Sequence, residues 1–298
     1  MRFSHWISTA HPTDEVLTRG RHAEATGWDG LWVADHFMAN QDGPSDEPMH
    51  ECFSLLAALA ATVPRVRLGS LVAGNTYRHP AVLAKQATTI DHISGGRMVL
   101  GIGAGWQVNE HEAYGIPLGT VKERLAWFEE ACQVITGLRD QARITVAGDR
   151  YQLTDAPLSP KPVGPLPLLV GSSGQTVMAR IVATHAQEWN TWSTPEQWVE
   201  KRAGYDRALE EAGRDPATLH RSTQALVLVG PDGAAKAEEL RAVRPAIGGT
   251  AEQLVDTIGR WAEAGLDELI VPDFTLGPLD RATDALDLLI TEVAPAFR

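Results

Sequence analysis

The chain has 298 residues, 44% hydrophobic and 21% charged, the balance of a globular protein and enough length for one large α/β barrel or two small domains. A formal net charge of −12 argues against a nucleic-acid groove and against adhesion to anionic lipid, so neither is expected as a partner. No apolar run of about 18 residues is present to span a bilayer. The first residues lack the charged head and apolar run of a secretion signal. Cys52 and Cys132 lie among apolar neighbours, as free thiols would in a reducing cytoplasm, and a cytoplasmic protein is expected.

Residues 3–8 read as a first strand, and Thr13-Asp14-Glu15 opens a helix that Gly27 stops. Residues 30–35 form a second strand that delivers His36 at its end. A polar loop with Gly and Pro (40–48) follows, long enough to be a lid. An Ala/Leu-rich helix over 52–62 ends at Pro64, residues 66–72 make the third strand, and a helix over 81–93 is stopped by Gly95-Gly96. The fourth strand runs from Arg97 into Gly101-Ile-Gly-Ala-Gly-Trp106. It is apolar over 98–102, as a strand buried on both faces should be. It then bares its backbone at Gly101, Gly103 and Gly105, so that a large flat group can approach. Trp106 adds a broad face beside that backbone, and Asn109 and Glu110 bring polar groups to the same rim. Glycines alone discriminate weakly, and a turn built only for tight packing would read the same way.

The helix expected over 120–138 repeats apolar residues at three and four positions (Val121, Leu125, Phe128, Cys132, Ile135). Residues 144–167 break the rhythm with a hairpin about Gly148-Asp149 and five prolines, an excursion over the barrel end. Strands are then expected at 168–171, 189–192, 224–229 and 268–272, with helices to about 186 and over 195–213, 250–264 and 279–292. Eight strands alternating with helices indicate one (β/α)8 TIM barrel domain over 1–298, with insertions at the C-terminal face. An open doubly wound sheet is disfavoured because no GxGxxG follows the first strand.

Such barrels build their sites at the C-terminal ends of the strands. Placed there are His36, the 70–75 segment, 104–110, 171–174 and Asn190. His36 beside Asp35 suits a proton relay at neutral pH, or a histidine that satisfies backbone groups under the following loop. Gly171-Ser172-Ser173-Gly174 at a helix start suits an anion or phosphate, or a plain helix cap. Glu110-His111-Glu112 are adjacent and do not share a helix face, so no metal is expected. No GxSxG offers a nucleophile. Arg78-His79-Pro80 reads as a segment fixing the turn before a helix.

Three stretches, in register over roughly residues 15–192, carry a resemblance: Gly27-Trp-Asp-Gly-Leu-Trp-Val-Ala-Asp-His36; Leu68-Gly-Ser-Leu-Val72 with Arg78-His-Pro-Ala-Val-Leu-Ala-Lys85; and Asp91-His-Ile-Ser-Gly-Gly-Arg97 into Gly101-Ile-Gly-Ala-Gly-Trp106. They resemble the luciferase-like monooxygenase superfamily, in particular its coenzyme F420-dependent oxidoreductases. The resemblance implies a deazaflavin or flavin at the C-terminal face, moving a hydride to or from a small organic substrate. It implies a bulge with a non-proline cis peptide at Leu71-Val72, next to Ser70, behind the ring. The cofactor phosphate would lie near Ala104, Gly105 and Asn109 on one side and near 171–174, chiefly Ser173 and Gly174, on the other. His36 would face the reactive carbon. Coenzyme F420 is the expected cofactor. The alternatives are an FMN-dependent monooxygenase served by a flavin reductase, and a flavin-binding barrel without catalysis. The family also implies a homodimer through helices near 51–62 and 81–93. The family's sugar-phosphate dehydrogenases carry a glutamate after the Gly-x-Gly of strand four. Trp106 stands there instead, which disfavours glucose 6-phosphate. The loops 37–50, 144–167 and 231–248 hold no motif that names a substrate.

Overall fold

The alternating apolar segments close into a parallel barrel in the computed structural model, which describes residues 1–174 and 176–298. The first half of the chain supplies β1 (Arg2–Ile7), α1 (Thr13–Thr26), β2 (Gly30–Val33), α2 (Cys52–Thr62), β3 (Arg67–Ser70), β4 (Ala73–Gly74), α3 (Pro80–Ser94) and β5 (Met98–Gly103). Next come α4 (Val108–Tyr114), α5 (Val121–Asp140) and the antiparallel hairpin of β6 (Ile144–Ala147) and β7 (Gln152–Ala156). The second half adds β8 (Leu168–Gly171), α6 (Val177–His185), β9 (Glu188–Trp192), α7 (Pro195–Glu211), β10 (His220–Gln224) and β11 (Leu226–Val229). It ends with α8 (Gly233–Leu240), β12 (Ala246–Gly249), α9 (Ala251–Glu263), β13 (Glu268–Pro272) and α10 (Leu279–Leu288). Among the described residues the barrel runs β1, β2, β3/β4, β5, β8, β9, β10, β13 and back to β1, parallel throughout. Thr120, Thr194 and Thr250 each start a helix with a reciprocal capping box, using Glu123, Gln197 and Gln253. Among the described residues no helix is long and apolar enough to cross a membrane.

The third strand is broken, and the peptide between Leu71 and Val72 is cis. Across from the break, a Cβ on Gly101 would sit 2.0 Å from the Ser70 carbonyl oxygen, so only a glycine lets β5 approach β3 this closely. Ser70 Oγ reinforces the contact by donating to the Gly101 carbonyl (2.7 Å) and accepting from its N–H (3.1 Å).

The expected seventh strand, 224–229, is misplaced by about one strand. The barrel uses β10, His220–Gln224, whereas Leu226–Val229 pairs with β12 in a two-stranded parallel sheet beside the barrel. The polar run of β10 lacks the apolar signature of a buried strand because its side chains are satisfied by neighbours. His220 Nε2 meets Glu268 Oε2 at 3.0 Å, Arg221 pairs with Asp206, and Ser222 Oγ accepts from Asn190 Nδ2 at 2.9 Å. The seven-residue α4 also has no counterpart in the expected elements, being too short to show helical periodicity.

Alternation along β1 sends Phe3 and Ile7 outward to the helices and Trp6 into the barrel. The barrel interior is a packed core of Trp32, Val99, Leu169 and Ile270. Below it, at the N-terminal end, Arg67 reaches Glu188 (2.6 Å) and Glu268 (3.2 Å), and Trp32 Nε1 donates to Glu268 (3.0 Å). Ligand atoms of Glu188, His220 and Glu268 lie within 4.8 Å of one another, but the Arg67 guanidinium already supplies the positive charge that such a group attracts.

Candidate cofactor and substrate site

Above the packed core, the C-terminal ends of the strands open into a cavity of about 770 Å³, within the roughly 300–1,000 Å³ of small-molecule sites. His36, Leu71, Val72, residues 104–106 and residues 171–174 all line it. Of the residues expected to hold the cofactor, two do not. Ser70 is fully buried and spent on the Gly101 backbone. Asn109 turns its Nδ2 to the carbonyls of Ala39 (2.9 Å) and Gly43 (3.0 Å), tethering the loop after β2, and that loop in turn brings Met38 and Met49 to the cavity wall.

His36 is the titratable centre of the wall. Its Nδ1 lies 2.8 Å from Glu110 Oε1. Glu110 is fully buried at the start of α4, and it also accepts the Phe37 N–H (2.6 Å) and the Tyr77 hydroxyl. Burial pushes the Glu110 carboxyl up, but the bonds from His36, Tyr77 and Phe37 outweigh it and hold the group below the usual carboxylate range. An ionised Glu110 fixes the tautomer: Nδ1 carries the proton and donates, which leaves Nε2 as the working end of the ring. Trp106, 53% exposed, stands edge-on to the His36 ring at 5.6 Å. Burial, then the bond to Glu110, raises Tyr77 far above the ordinary phenol range, so it stays a donor.

Backbone on either side of His36 is fixed by charge. Asp35, fully buried, takes two bonds from Arg78 (2.6 and 2.9 Å) and one from the Gly74 N–H (3.1 Å), and Arg78 also reaches Glu51 at 2.6 Å. Arg78 is thus a turn-fixing residue. Glu110, His111 and Glu112 diverge as adjacent residues on a helix must: Glu110 serves His36, His111 Nε2 meets Thr76 Oγ1 at 2.7 Å, and Glu112 is exposed.

On the far side, Val72 forms a wall. A Cβ on Gly103 or on Gly171 would come within 2.8 Å of its methyls, so both glycines let the two strand ends close on that side chain. Gly105, at φ +85°, continues the bare edge beside Trp106. The 171–174 loop is less open to an anion than its sequence implies. The Ser172 N–H donates to the Asn190 carbonyl (2.9 Å), and the Gly174 N–H to Ser172 Oγ (3.1 Å). Ser173 remains exposed at the rim, and Gln175 lies outside the described residues. A flat, polar-tailed cofactor fits these features: an apolar wall at Leu71 and Val72, an aromatic edge at Trp106, glycine-bare backbone, and an imidazole nitrogen aimed into the space.

Sequence reasoning placed Glu110 at the rim but gave it no role, since its partners come from the ends of other strands. Lys201, Gln224 and Arg244, which also line the cavity, went unnoticed because they lie on α7, on β10 and in the turn before β12, with no shared motif.

Comparison with known proteins gives three likenesses. The sequence profile of the luciferase-like monooxygenase family matches residues 1–269. An F420-dependent glucose-6-phosphate dehydrogenase of Amycolatopsis mediterranei is 33% identical over 156 residues, 52% of this chain and 46% of that protein. The chain thus matches about half the length of that relative. An F420-dependent hydroxymycolic acid dehydrogenase of Mycobacterium tuberculosis is 26% identical over 313 residues, 96% of this chain and 85% of that protein. Among solved structures, an F420-dependent secondary alcohol dehydrogenase in complex with an F420-acetone adduct has a TM-score of 0.85 at 20% identity, covering 100% of this chain and 99% of that one. That last likeness is one of fold.

Proposed function

The chain belongs to the luciferase-like monooxygenase family, and from that footing we propose that it is an oxidoreductase using coenzyme F420 to move a hydride to or from a small organic substrate. The observation that carries this reading is the His36–Glu110 pair opening into a cavity of cofactor size. F420, when bound, supplies the hydride chemistry, and the protein supplies position, proton handling and exclusion of water. Leu71 and Val72 would back the ring, and Trp106 and the glycine edge at 103–105 would flank it. In alcohol oxidation His36 Nε2 would take the proton from the hydroxyl oxygen, and bound F420 would be the acceptor for the hydride on the carbon that bears that hydroxyl. In the reverse direction Nε2 returns the proton to the carbonyl oxygen. Glu110 stabilises the imidazolium in either direction. F420-dependent relatives favour this cofactor over FMN. Trp106, in place of the glutamate of the sugar-phosphate enzymes, argues against glucose 6-phosphate as substrate.

The test is a panel of alcohols and hydroxy acids with oxidised F420, and of carbonyl compounds with reduced F420, followed by the cofactor's absorbance. Substrate-dependent change with one chemical class is expected. Oxygen consumption with FMN and a flavin reductase, with no F420-linked change, would instead establish the monooxygenase reading.

A further inference from the structure

The cavity lining divides by strand. The arc from β2 to β8 carries His36, Val72, Trp106 and the bare glycines. The arc from β9 through β13 to β1 carries Trp6, Trp192, Gln224, Lys201 and Arg244. On this second arc two cations converge on one residue. Lys201 Nζ donates to the Trp192 carbonyl (2.6 Å) and lies 3.4 Å from Thr191 Oγ1, while the Arg244 guanidinium stands 5.0 Å from the centre of the Trp192 ring. Those contacts are all to neutral groups. Among the described residues that line the cavity, the one carboxylate is Asp35, and Arg78 already occupies it at 2.6 Å. Carboxylates are plentiful in a chain of net charge −12, yet Lys201 and Arg244 face the cavity with no unspent acid beside them in its described lining. Burial lowers the pKa of Lys201, and the neighbouring Glu200 offsets that only in part, as expected of an ammonium without a close counter-ion.

The same arc holds two buried polar atoms without a protein partner, Trp6 Nε1 and Gln224 Oε1, on residues 8% and 4% exposed. The Trp6 ring is held between Trp192 (5.7 Å) and Phe274 (5.0 Å), so packing fixes where its N–H points. A buried donor and a buried acceptor without partners are costly unless a ligand or water completes them.

The geometry points to the substrate class: a small molecule bearing an anionic oxygen group, carboxylate or phosphate, held by Lys201 and Arg244 with its reacting carbon toward His36. Calling that molecule a substrate rests on the oxidoreductase reading; the anion site does not. The first arc accommodates the flat cofactor, and the cations stand on the opposite arc, where the second molecule must sit.

Tryptophan fluorescence tests this directly, since Trp6 and Trp192 line the site. The probes are 2-hydroxybutyrate, its neutral amide, and inorganic phosphate. Saturable quenching by 2-hydroxybutyrate or phosphate but not by the amide is expected, and whichever anion acts at lower concentration identifies the preferred group. Lys201→Gln, which keeps a donor for the Trp192 carbonyl, and Arg244→Gln, at an exposed position, should each weaken anion binding about tenfold. Equal binding of the amide, or anion binding unchanged in both variants, would overturn the proposal. So would loss of F420 affinity in the variants with anion binding intact, because the cations would then serve the cofactor. An F420 titration on the same preparation separates the two readings. Anion binding without F420 binding rejects only the redox function, and F420 binding without anion binding rejects only this site.

Discussion

Replacing His36 by alanine is expected to lower turnover by about 10²–10⁴-fold, the usual loss when a positioned proton carrier is removed, with little change in the F420 affinity proposed for the cavity. The split follows from geometry. His36 is one of several groups around the cavity, whereas the Leu71–Val72 wall and the glycine-bare edge that would hold a flat ring do not depend on it. Its special property is a nitrogen left free because Glu110 holds the other one at 2.8 Å. Glu110→Gln tests that support. The amide keeps the size but loses the charge, and it presents an N–H₂ among the three donors that the carboxylate now accepts, from His36, Phe37 and Tyr77. This variant should lose kcat with little change in KM, and its pH–rate profile should move to lower pH because the imidazolium no longer has an adjacent carboxylate. Equal turnover in His36→Ala would end the assignment of His36, and an unmoved pH profile in Glu110→Gln would end that of Glu110.

The largest expected effect on stability lies at the other end of the barrel. Arg67→Met should destabilise the fold at neutral pH by about 3–5 kcal/mol, the cost of leaving buried charges without their partner. Glu268 is fully buried and Glu188 nearly so, and Arg67 bridges them. Burial alone would push the Glu268 carboxyl up, but Arg67 and His220 outweigh it and hold it well below the ordinary value of 4.5. A depressed folded value means the contribution is present above the unfolded carboxylate range and is lost as pH falls through the folded value. Without Arg67, burial instead favours protonation of Glu268 in the folded state. The difference between wild type and Arg67→Met should therefore be widest near pH 7 and narrow toward pH 4. Urea unfolding at both pH values measures it. A loss below about 1 kcal/mol at neutral pH would place the network among solvent-screened ion pairs.

Much of the barrel was legible because a strand buried on both faces reads as a continuous apolar run, as in β5, and because glycines and Pro80 mark the helix ends. It failed at β10, where burial is compatible with His220, Arg221, Ser222 and Thr223 only because Glu268, Asp206, Asn190 and Ser193 meet them. Those partners lie on other elements and leave no trace in the local pattern. The site shows the same limit. His36 and Trp106 were legible from their place at strand ends. The direction of Ser70, turned into the β3–β5 contact, and of Asn109, turned to the loop after β2, was not. Glu110 lies 74 residues from His36, and the pairing appears only when β2 and the start of α4 are brought side by side.

A side-by-side fluorescence titration of the purified protein with coenzyme F420 and with FMN tests the account most directly. Saturable, tight binding of F420 with FMN excluded is the predicted result. Tight FMN binding with no affinity for F420 would contradict it and move the protein to the oxygen-activating members of its family.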